Sequence, residues 1–409
     1  MKKDYKILIP NMLPVHFKLI GKIMNNYGYN IELLETAGTQ IAETGLKSVH
    51  NDACYPALLV IGQFIDAIES GKYDKSKIAL MITQTGGGCR ASNYIHLLRK
   101  ALIKKGYGYI PVISLNFSGF DKQSSFKITL PMLFQVIYSV LLGDLIMLLY
   151  NQCKPYEIIE NSSENAEKEA FEICYNILKK GGMISYKTVK KIYINIINIF
   201  NKIERRNELK VKVGIVGEIY VKYSPLGNNN LEKFLRSTGA EVIIPGLLDF
   251  CLYCVTNTLN DRKLYGGRFI KAGAFKFAYH WVIKKQTDFI KIIKENSGFT
   301  PPVGFDEKMD CVKNYISHGV KMGEGWLLTA EMIEFIDSGV KNIICAQPFG
   351  CLPNHIAGKG MMRQIKEKNP EANIVAIDYD PGATKINQEN RIKLMMSVAK
   401  KNAVRNVIC

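Results

Sequence analysis

The sequence predicts an α/β protein made of two doubly wound halves, each with a parallel sheet, and a helical segment between them. Short apolar runs alternate with amphipathic segments at both ends of the chain, which is the pattern of a parallel sheet covered by helices. The middle of the chain has no convincing strand. We therefore assign 1–125 to an N-terminal α/β domain, 126–208 to a helical segment and 209–409 to a C-terminal α/β domain.

The N-terminal domain has four apolar runs of strand length with helical patterns between them. The predicted strands lie near Lys6–Ile9, Ile31–Leu34, Ile78–Thr83 and Ile110–Leu115, and the predicted helices near Val15–Asn26, Pro56–Glu69 and Ala91–Lys105.

The helical segment contains an apolar run, Pro131 to Tyr150, that is long enough to span a membrane. The run also holds Gln135 and Asp144, and an Asp near a bilayer centre costs about 3 kcal/mol. We therefore predict a buried helix and no membrane association. The N-terminal apolar run is short and stops at Pro10, unlike a signal peptide, so a cytoplasmic protein is expected.

The C-terminal domain repeats the alternation of strands and helices. The predicted strands lie near Val213–Val216, Val242–Ile244, Asn342–Cys345 and Ile374–Ile377, and the helices near Leu231–Ser237, Leu247–Thr258, Lys308–Val320, Leu327–Ser338, Lys359–Lys368 and Asn387–Lys400.

Composition narrows the function classes. The chain is 47% apolar and 22% charged, which is ordinary for a soluble globular protein. The formal charge of +17 would suit an anionic partner, but the basic residues are spread along the chain and form no cluster interleaved with aromatics. No nucleic-acid binding is therefore expected. A chain with ten cysteines and no export signal is expected to keep them reduced.

Four cysteines occupy turns where a simple apolar filler is less expected. Cys54 precedes a predicted helix, Cys89 follows a strand and three glycines, Cys345 ends a predicted strand, and Cys351 lies in the turn after it. At strand ends and helix starts, the helix dipole and free backbone N–H groups favour a thiolate.

Thiolates gathered in one crevice suit an iron–sulfur cluster. The backbone N–H groups of Gly86, Gly87 and Gly88 are suited to donate hydrogen bonds to cluster sulfides. Two alternatives remain open: four unrelated buried cysteines, or a zinc site, although a zinc ribbon needs close CxxC pairs. The one CxxC, Cys251–Cys254, lies in an apolar stretch typical of a helix, so at least one of its thiols is expected in the core.

Nucleotide-binding motifs are missing from the sequence. The triple glycine lacks the GxxxxGK[ST] pattern, and no GxGxxG opens the first helix. These absences argue against an ordinary NAD enzyme or a P-loop NTPase. Glu324 lies in a Gly-flanked turn before a helix, where a capping or packing role is expected.

Six segments in order resemble the acyl-CoA dehydratase activase-related proteins, within the 2-hydroxyacyl-CoA dehydratase and benzoyl-CoA reductase superfamily. The resemblance covers nearly the whole chain. The segments are NDACYPALLVIGQ, TQTGGGCRASNYI, VGIVGEIYVKYSPLGNN, MGEGWLLTAEM, QPFGCLPNHIAGKGMMR and AIDYDPGATKINQENRIKL.

The resemblance implies an iron–sulfur protein of an anaerobe, with two Rossmann-like domains whose cysteines hold a [4Fe–4S] or a double-cubane [8Fe–9S] cluster between them. It also implies a partner, an actin-like ATPase that carries its own cluster and delivers low-potential electrons after ATP hydrolysis. The cysteines inside matching motifs are Cys54, Cys89, Cys345 and Cys351, with Cys254 as a weaker fifth candidate.

The chain departs from the family in three ways. It has no DxGxT-type motif, so it is not the ATPase; it offers four or five ligands where a double cubane needs about six; and no residue marks a CoA pocket. Together with the positions of the cysteines, the resemblance implies an iron–sulfur redox protein that reduces a small or CoA-linked substrate with electrons from the ATPase.

Whether the chain is an enzyme stays open. If it is, an ATP-dependent reductase or a 2-hydroxyacyl-CoA dehydratase-like enzyme is expected, with no catalytic residue assigned. The alternatives are a non-catalytic electron-transfer or scaffold partner of a CoA-enzyme activase, and a zinc- or nucleotide-binding α/β protein. The oligomeric state is also open, with a homodimer among the candidates.

Overall fold

The computed structural model of the protein describes residues 4–50, 52–84, 89–116, 126–266 and 269–408. They form two four-stranded parallel sheets, as the sequence predicts. The strands are β1 (Lys6–Pro10), β2 (Ile31–Leu34), β3 (Ile78–Gln84), β4 (Val112–Asn116), β5 (Val211–Gly217), β6 (Ala240–Ile243), β7 (Asn342–Pro348) and β8 (Asn373–Tyr379).

The two sheets have the same topology. The strand order is β2-β1-β3-β4 in the first sheet and β6-β5-β7-β8 in the second. In each sheet the chain begins in an inner strand, adds one neighbour, and then crosses to the other side. Such a reversal opens a crevice at the carboxyl ends of the two inner strands, where ligands of open α/β sheets bind. In this protein those ends belong to β1 with β3 and to β5 with β7.

The helices cover both sheets and fill the segment between them. They are α1 (Pro14–Asn26), α2 (Thr39–Ser48), α3 (Tyr55–Glu69), α4 (Tyr94–Lys104), α5 (Leu130–Cys153), α6 (Ser162–Leu178), α7 (Tyr186–Asn201), α8 (Ile219–Tyr223), α9 (Leu231–Ser237), α10 (Leu247–Tyr265), α11 (Phe269–Asn296), α12 (Phe305–Cys311), α13 (Trp326–Asp337), α14 (Met362–Lys368) and α15 (Lys385–Ile408).

Helix α5 is the apolar run that has the length of a membrane span. It packs against α1, α6, α7 and α10, and two thirds of its most apolar window is buried inside the protein. Gln135 donates to the Gly182 carbonyl at 2.9 Å, and the Asp144 carboxylate accepts from its neighbours. The prediction of a buried helix is therefore confirmed, and the structure fits a soluble protein.

Several predicted elements differ from the structure. β7 continues past Cys345 to Pro348 because Ala346 and the two residues after it pair with β8. The predicted helix at 308–320 ends at Cys311, and beyond it Val312 is buried in a turn while the later apolar residues are half-buried. The 28-residue helix α11 was not predicted, because its apolar residues are distributed around the helix rather than along one face.

Candidate functional site

Cys54, Cys89 and Cys351 lie where the two α/β halves meet, and we call this region the thiol seam. The Tyr55 N–H, in the first turn of α3, donates to the Phe349 carbonyl after β7 at 3.0 Å. The contact brings the turn of Cys351 directly onto the helix start that carries Cys54.

Gly350 makes this approach possible. Its φ is +70°, and a Cβ atom there would lie 3.2 Å from the Cys54 Cα and 3.2 Å from the Arg90 Nη1. A side chain would therefore press on the first half at two points. Arg90 in turn donates to the Asp52 carbonyl, which holds the chain just before Cys54.

Cys54 occupies the N-cap position of α3, as the sequence predicts. The thiol is buried, and its Sγ atom lies 3.2 Å from the Tyr94 hydroxyl, within hydrogen-bonding distance. Burial raises the pKa of the Cys54 thiol, and the Tyr94 hydrogen bond offsets part of that rise.

Cys89 follows β3 and precedes a short helical turn, where its Sγ accepts from the Ala91 N–H at 3.5 Å. A loop of the second half lies against it: a Cβ at Gly323 would be 3.6 Å from the Cys89 Sγ. Burial raises the pKa of the Cys89 thiol to about 12, and the nearby charges of Glu324 and Cys54 act in the same direction.

Cys351 is buried in the turn after β7, and its N–H donates to the Pro348 carbonyl at 3.3 Å. Burial, followed by repulsion from Glu324 and Glu218, raises the pKa of its thiol far above the ordinary range. Cys89 contributes to the same rise, so thiols from both halves share one electrostatic environment.

Two buried carboxyl groups belong to this environment. Glu218 follows β5 and accepts from the Val221 N–H at 2.9 Å; Glu324 accepts from the Ile219 N–H at 2.9 Å. Burial, then repulsion between the two carboxylates, raises the pKa of Glu218 to about 8. Burial also raises the pKa of Glu324, although Lys222 opposes both shifts.

Glu324 has the capping role that its turn predicts, although it caps α8 rather than α13. Glu218 was not singled out in the sequence. The available signal was a carboxylate directly after the apolar strand of VGIVGEIYV, at a position where strand ends form a crevice.

Cys345 lies in a different environment. It is fully buried in the middle of β7, not at its end, and its Sγ contacts the Asn354 Oδ1 at 3.2 Å. Burial raises the pKa of its thiol to about 12; the charged groups near it are Asp378, Glu331 and Lys359, not the carboxyl pair of the thiol seam.

Cys254 lies within α10, as the apolar pattern around it predicts, and is half-buried. Burial makes the largest contribution to the raised pKa of its thiol. The charges of Cys251 and Glu324 raise the pKa further. Cys254 therefore shares Glu324 as a charged neighbour with Cys89 and Cys351, whereas Cys251 has Asp144 and Asp249 as its charged neighbours.

The thiol environment differs from the sequence-based expectation in one respect. The helix dipole and free N–H groups were expected to favour thiolates, yet the pKa values of Cys54, Cys89 and Cys351 are all raised. Burial and the two carboxyl groups outweigh the local dipoles. In the metal-free protein these thiols are therefore protonated at neutral pH.

The described residues include no group of three His, Cys, Asp or Glu side chains arranged to hold a metal ion. Gly86, Gly87 and Gly88, the predicted donors to cluster sulfides, lie outside the described residues. No protein-family model matches the chain, and no curated protein matches it either. The family resemblance thus stays a prediction from the sequence motifs.

Proposed function

We propose that the chain is an iron–sulfur redox protein with its cluster in the thiol seam, bound by Cys54, Cys89 and Cys351. Cys254, which shares Glu324 as a charged neighbour with Cys89 and Cys351, and Cys345 are the candidates for a fourth ligand. The observation that carries the proposal is the docking of the Phe349–Cys351 turn on the start of α3, which brings thiols from both halves together.

The donor set fits a cluster in its chemistry. Thiolate is the ligand that iron–sulfur clusters use. Burial and the carboxyls Glu218 and Glu324 keep the thiol protons in place, and the positive charges of Arg90 and Lys222 nearby do not outweigh them. A bound metal cluster would supply further positive charge and displace the thiol protons, because metal ligation requires the deprotonated form.

When bound, an iron–sulfur cluster supplies one-electron chemistry at a potential set by its surroundings. The chain's own residues define those surroundings. The Tyr94 hydroxyl lies 3.2 Å from the Cys54 sulfur and would donate to it once the thiol is deprotonated, and the Ala91 N–H donates to the Cys89 sulfur. Hydrogen bonds to cluster sulfurs raise the reduction potential, whereas the adjacent carboxylates lower it.

We further propose that the protein is cytoplasmic, where its cysteines stay reduced, and that an actin-like ATPase supplies its electrons. All nine cysteines in the described ranges are free thiols, which is compatible with a reducing compartment. The substrate class is a small or CoA-linked molecule, and this part of the proposal rests on the motif resemblance alone.

Metal analysis of anaerobically purified protein tests the cluster. We expect iron and acid-labile sulfide in about equal amounts, without stoichiometric zinc. Cys351→Ser should lose most of the iron. Cys174→Ser is the matched control, because Cys174 is also fully buried but lies inside α6. Zinc without sulfide, or unchanged iron in Cys351→Ser, would contradict the proposal.

Electron transfer is tested separately. Protein that contains the cluster should be reduced by an actin-like ATPase only while ATP is hydrolysed, as followed by the visible absorbance of the cluster. Turnover of an added acyl-CoA in the same assay would identify an enzyme. Reduction without turnover of any acyl-CoA would leave an electron carrier or an enzyme for a small substrate, and no reduction would overturn the proposed partner.

A further inference from the structure

A cavity of about 130 Å³ lies away from the thiol seam, between α5, β6, α10 and α13. Apolar side chains form much of its wall, including Leu148, Phe289 and Phe335. A cavity of about 150 Å³ is large enough to hold benzene, so this one has room for a compact organic group of about five heavy atoms.

A buried ion cluster forms one side of the cavity. The Lys308 ammonium lies 2.7 Å from the Asp249 Oδ2 and 3.3 Å from the Glu334 Oε2. Gln286 donates to the Asp249 Oδ1 at 3.1 Å, so both oxygens of that carboxylate have partners. The Lys308 pKa is raised well above its usual value, which keeps the side chain charged.

Glu334 differs from Asp249 because one of its two carboxylate oxygens has no hydrogen-bond or ion-pair partner in the described part of the chain. Its side chain is only 10% exposed and lines the cavity, and its one ion-pair contact is between Oε2 and Lys308. Its Oε1 has no hydrogen-bond donor among the described residues. The atom is not one of the fully enclosed polar atoms that lack a partner, so the cavity presents an acceptor that a ligand can reach.

The charged residues that line the cavity determine whether it favours a cationic or an anionic ligand. The chain as a whole has a formal charge of +17, yet carboxylates outnumber lysines around this cavity. The excess disfavours phosphate-bearing and carboxylate ligands and favours a cation. The charged lining residues are Asp144, Lys212, Glu241, Asp249, Lys308 and Glu334.

We propose that this cavity binds a small organic ammonium ion, with its N–H groups on the Glu334 Oε1 and its apolar body against Leu148 and Phe289. The cavity contains none of the cysteines of the thiol seam. The proposal is therefore independent of the cluster, and either one can fail alone.

Three compounds of similar shape test the charge preference: isobutylamine, isobutanol and isobutyrate. Each is titrated into the purified full chain at neutral pH and followed by calorimetry. Isobutylamine should bind about ten- to a hundredfold more tightly than isobutanol, which corresponds to one charge-assisted hydrogen bond, and isobutyrate should not bind. Equal binding of all three, or no binding of the amine, would overturn the proposal.

Two variants locate the site. Glu334→Gln should remove the preference for the amine while isobutanol still binds, which also shows that the cavity is intact. Leu148→Trp should fill the cavity and abolish binding of both compounds. Leu133→Trp, at an exposed position of the same helix, is the control and should bind like the wild type. Amine binding that survives in Leu148→Trp would place the site elsewhere and overturn the proposal.

Discussion

The Asp144 carboxylate accepts a hydrogen bond from the His16 Nε2 at 2.8 Å, although the two residues belong to different parts of the chain. The same carboxylate accepts from the Leu247 N–H at 2.8 Å and the Leu248 N–H at 2.9 Å, at the start of α10. His16 is fully buried in α1 of the first half. One side chain of the helical segment therefore joins both α/β halves.

We expect Asp144→Ala to lower the free energy of unfolding by about 2–4 kcal/mol, because it leaves buried donors on both halves without an acceptor. Urea denaturation measures the change. Glu169→Ala, an exposed carboxylate on α6, is the control and should stay within about 0.5 kcal/mol of wild type. A similar small change in both variants would show that the Asp144 bonds contribute little.

Lys222 and Glu331 form an ion pair at 2.8 Å whose side chains are only 3% and 1% exposed. Removing one partner leaves a buried, uncompensated charge, so Lys222→Met should cost about 3–5 kcal/mol. The double variant Lys222→Met/Glu331→Leu should recover most of that loss.

A double-mutant cycle by urea denaturation measures the coupling of that pair. The exposed pair Lys291–Glu295 is the control, with an expected coupling of about 0.5 kcal/mol or less. If the buried double variant is as unstable as the sum of its two single variants, the two charges are not coupled.

Glu218 gives the metal-free protein a specific dependence on pH. Its pKa is raised to about 8 in the folded chain, so folding favours the protonated form. The stabilising contribution is complete below the unfolded-state pKa of about 4.5 and is lost as the pH rises through about 8. We expect the free energy of unfolding to fall by a few kcal/mol across that range.

Denaturation of metal-free protein at a series of pH values tests this dependence. Glu218→Gln keeps an oxygen for the Val221 N–H but cannot ionise, so its slope with pH should be much smaller. An identical slope in the variant would assign the pH dependence to other groups.

Gly350→Ala should weaken the contact between the two halves. Its φ of +70° disfavours a side chain, and the new methyl group would press on Cys54 and Arg90. We expect a loss of about 1–2 kcal/mol in stability from the backbone, together with reduced iron content. Gly339→Ala is a matched control, because its φ is +83° but a Cβ there meets nothing within 4 Å. Both variants should lose stability, and only Gly350→Ala should lose iron.

Cell fractionation tests the interpretation of α5. Because Gln135 and Asp144 have protein partners and the helix packs against α1 and α10, we expect the full chain in the supernatant after ultracentrifugation. A chain that sediments with membranes and resists extraction at high salt would contradict this expectation.

The sequence predicted the sheets well because their strands are short apolar runs with clear boundaries. It predicted Cys54 at the start of α3 for a similar local reason, since Pro56 in the first turn marks where a helix begins. It failed for Cys345, because the end of β7 depends on pairing with β8, which is a tertiary property. The raised pKa values of the thiols could not be predicted from the sequence either, because they depend on how deeply the folded halves bury each sulfur.

The sequence also contains no indication of which glycines have side chains packed directly against their backbone. Gly143 and Gly246 are ordinary glycines by pattern, yet a Cβ at Gly143 would lie 2.5 Å from the His16 ring, and one at Gly246 would lie 2.6 Å from the Asp144 carboxylate. Both are required by neighbours that are distant in the chain, so no local signal could have identified them.

The hydrogen bond from Tyr55 to Phe349 also constrains how the protein is made. The N-terminal half leaves the ribosome first, with Cys54 and Cys89 already translated, but the turn that docks on it comes 295 residues after Cys54 and 260 after Cys89. At about 5–20 residues per second, that interval lasts roughly 13–60 s. During biosynthesis the two thiols therefore remain open to solvent, oxidants and metal donors for far longer than the domain that carries them needs to fold.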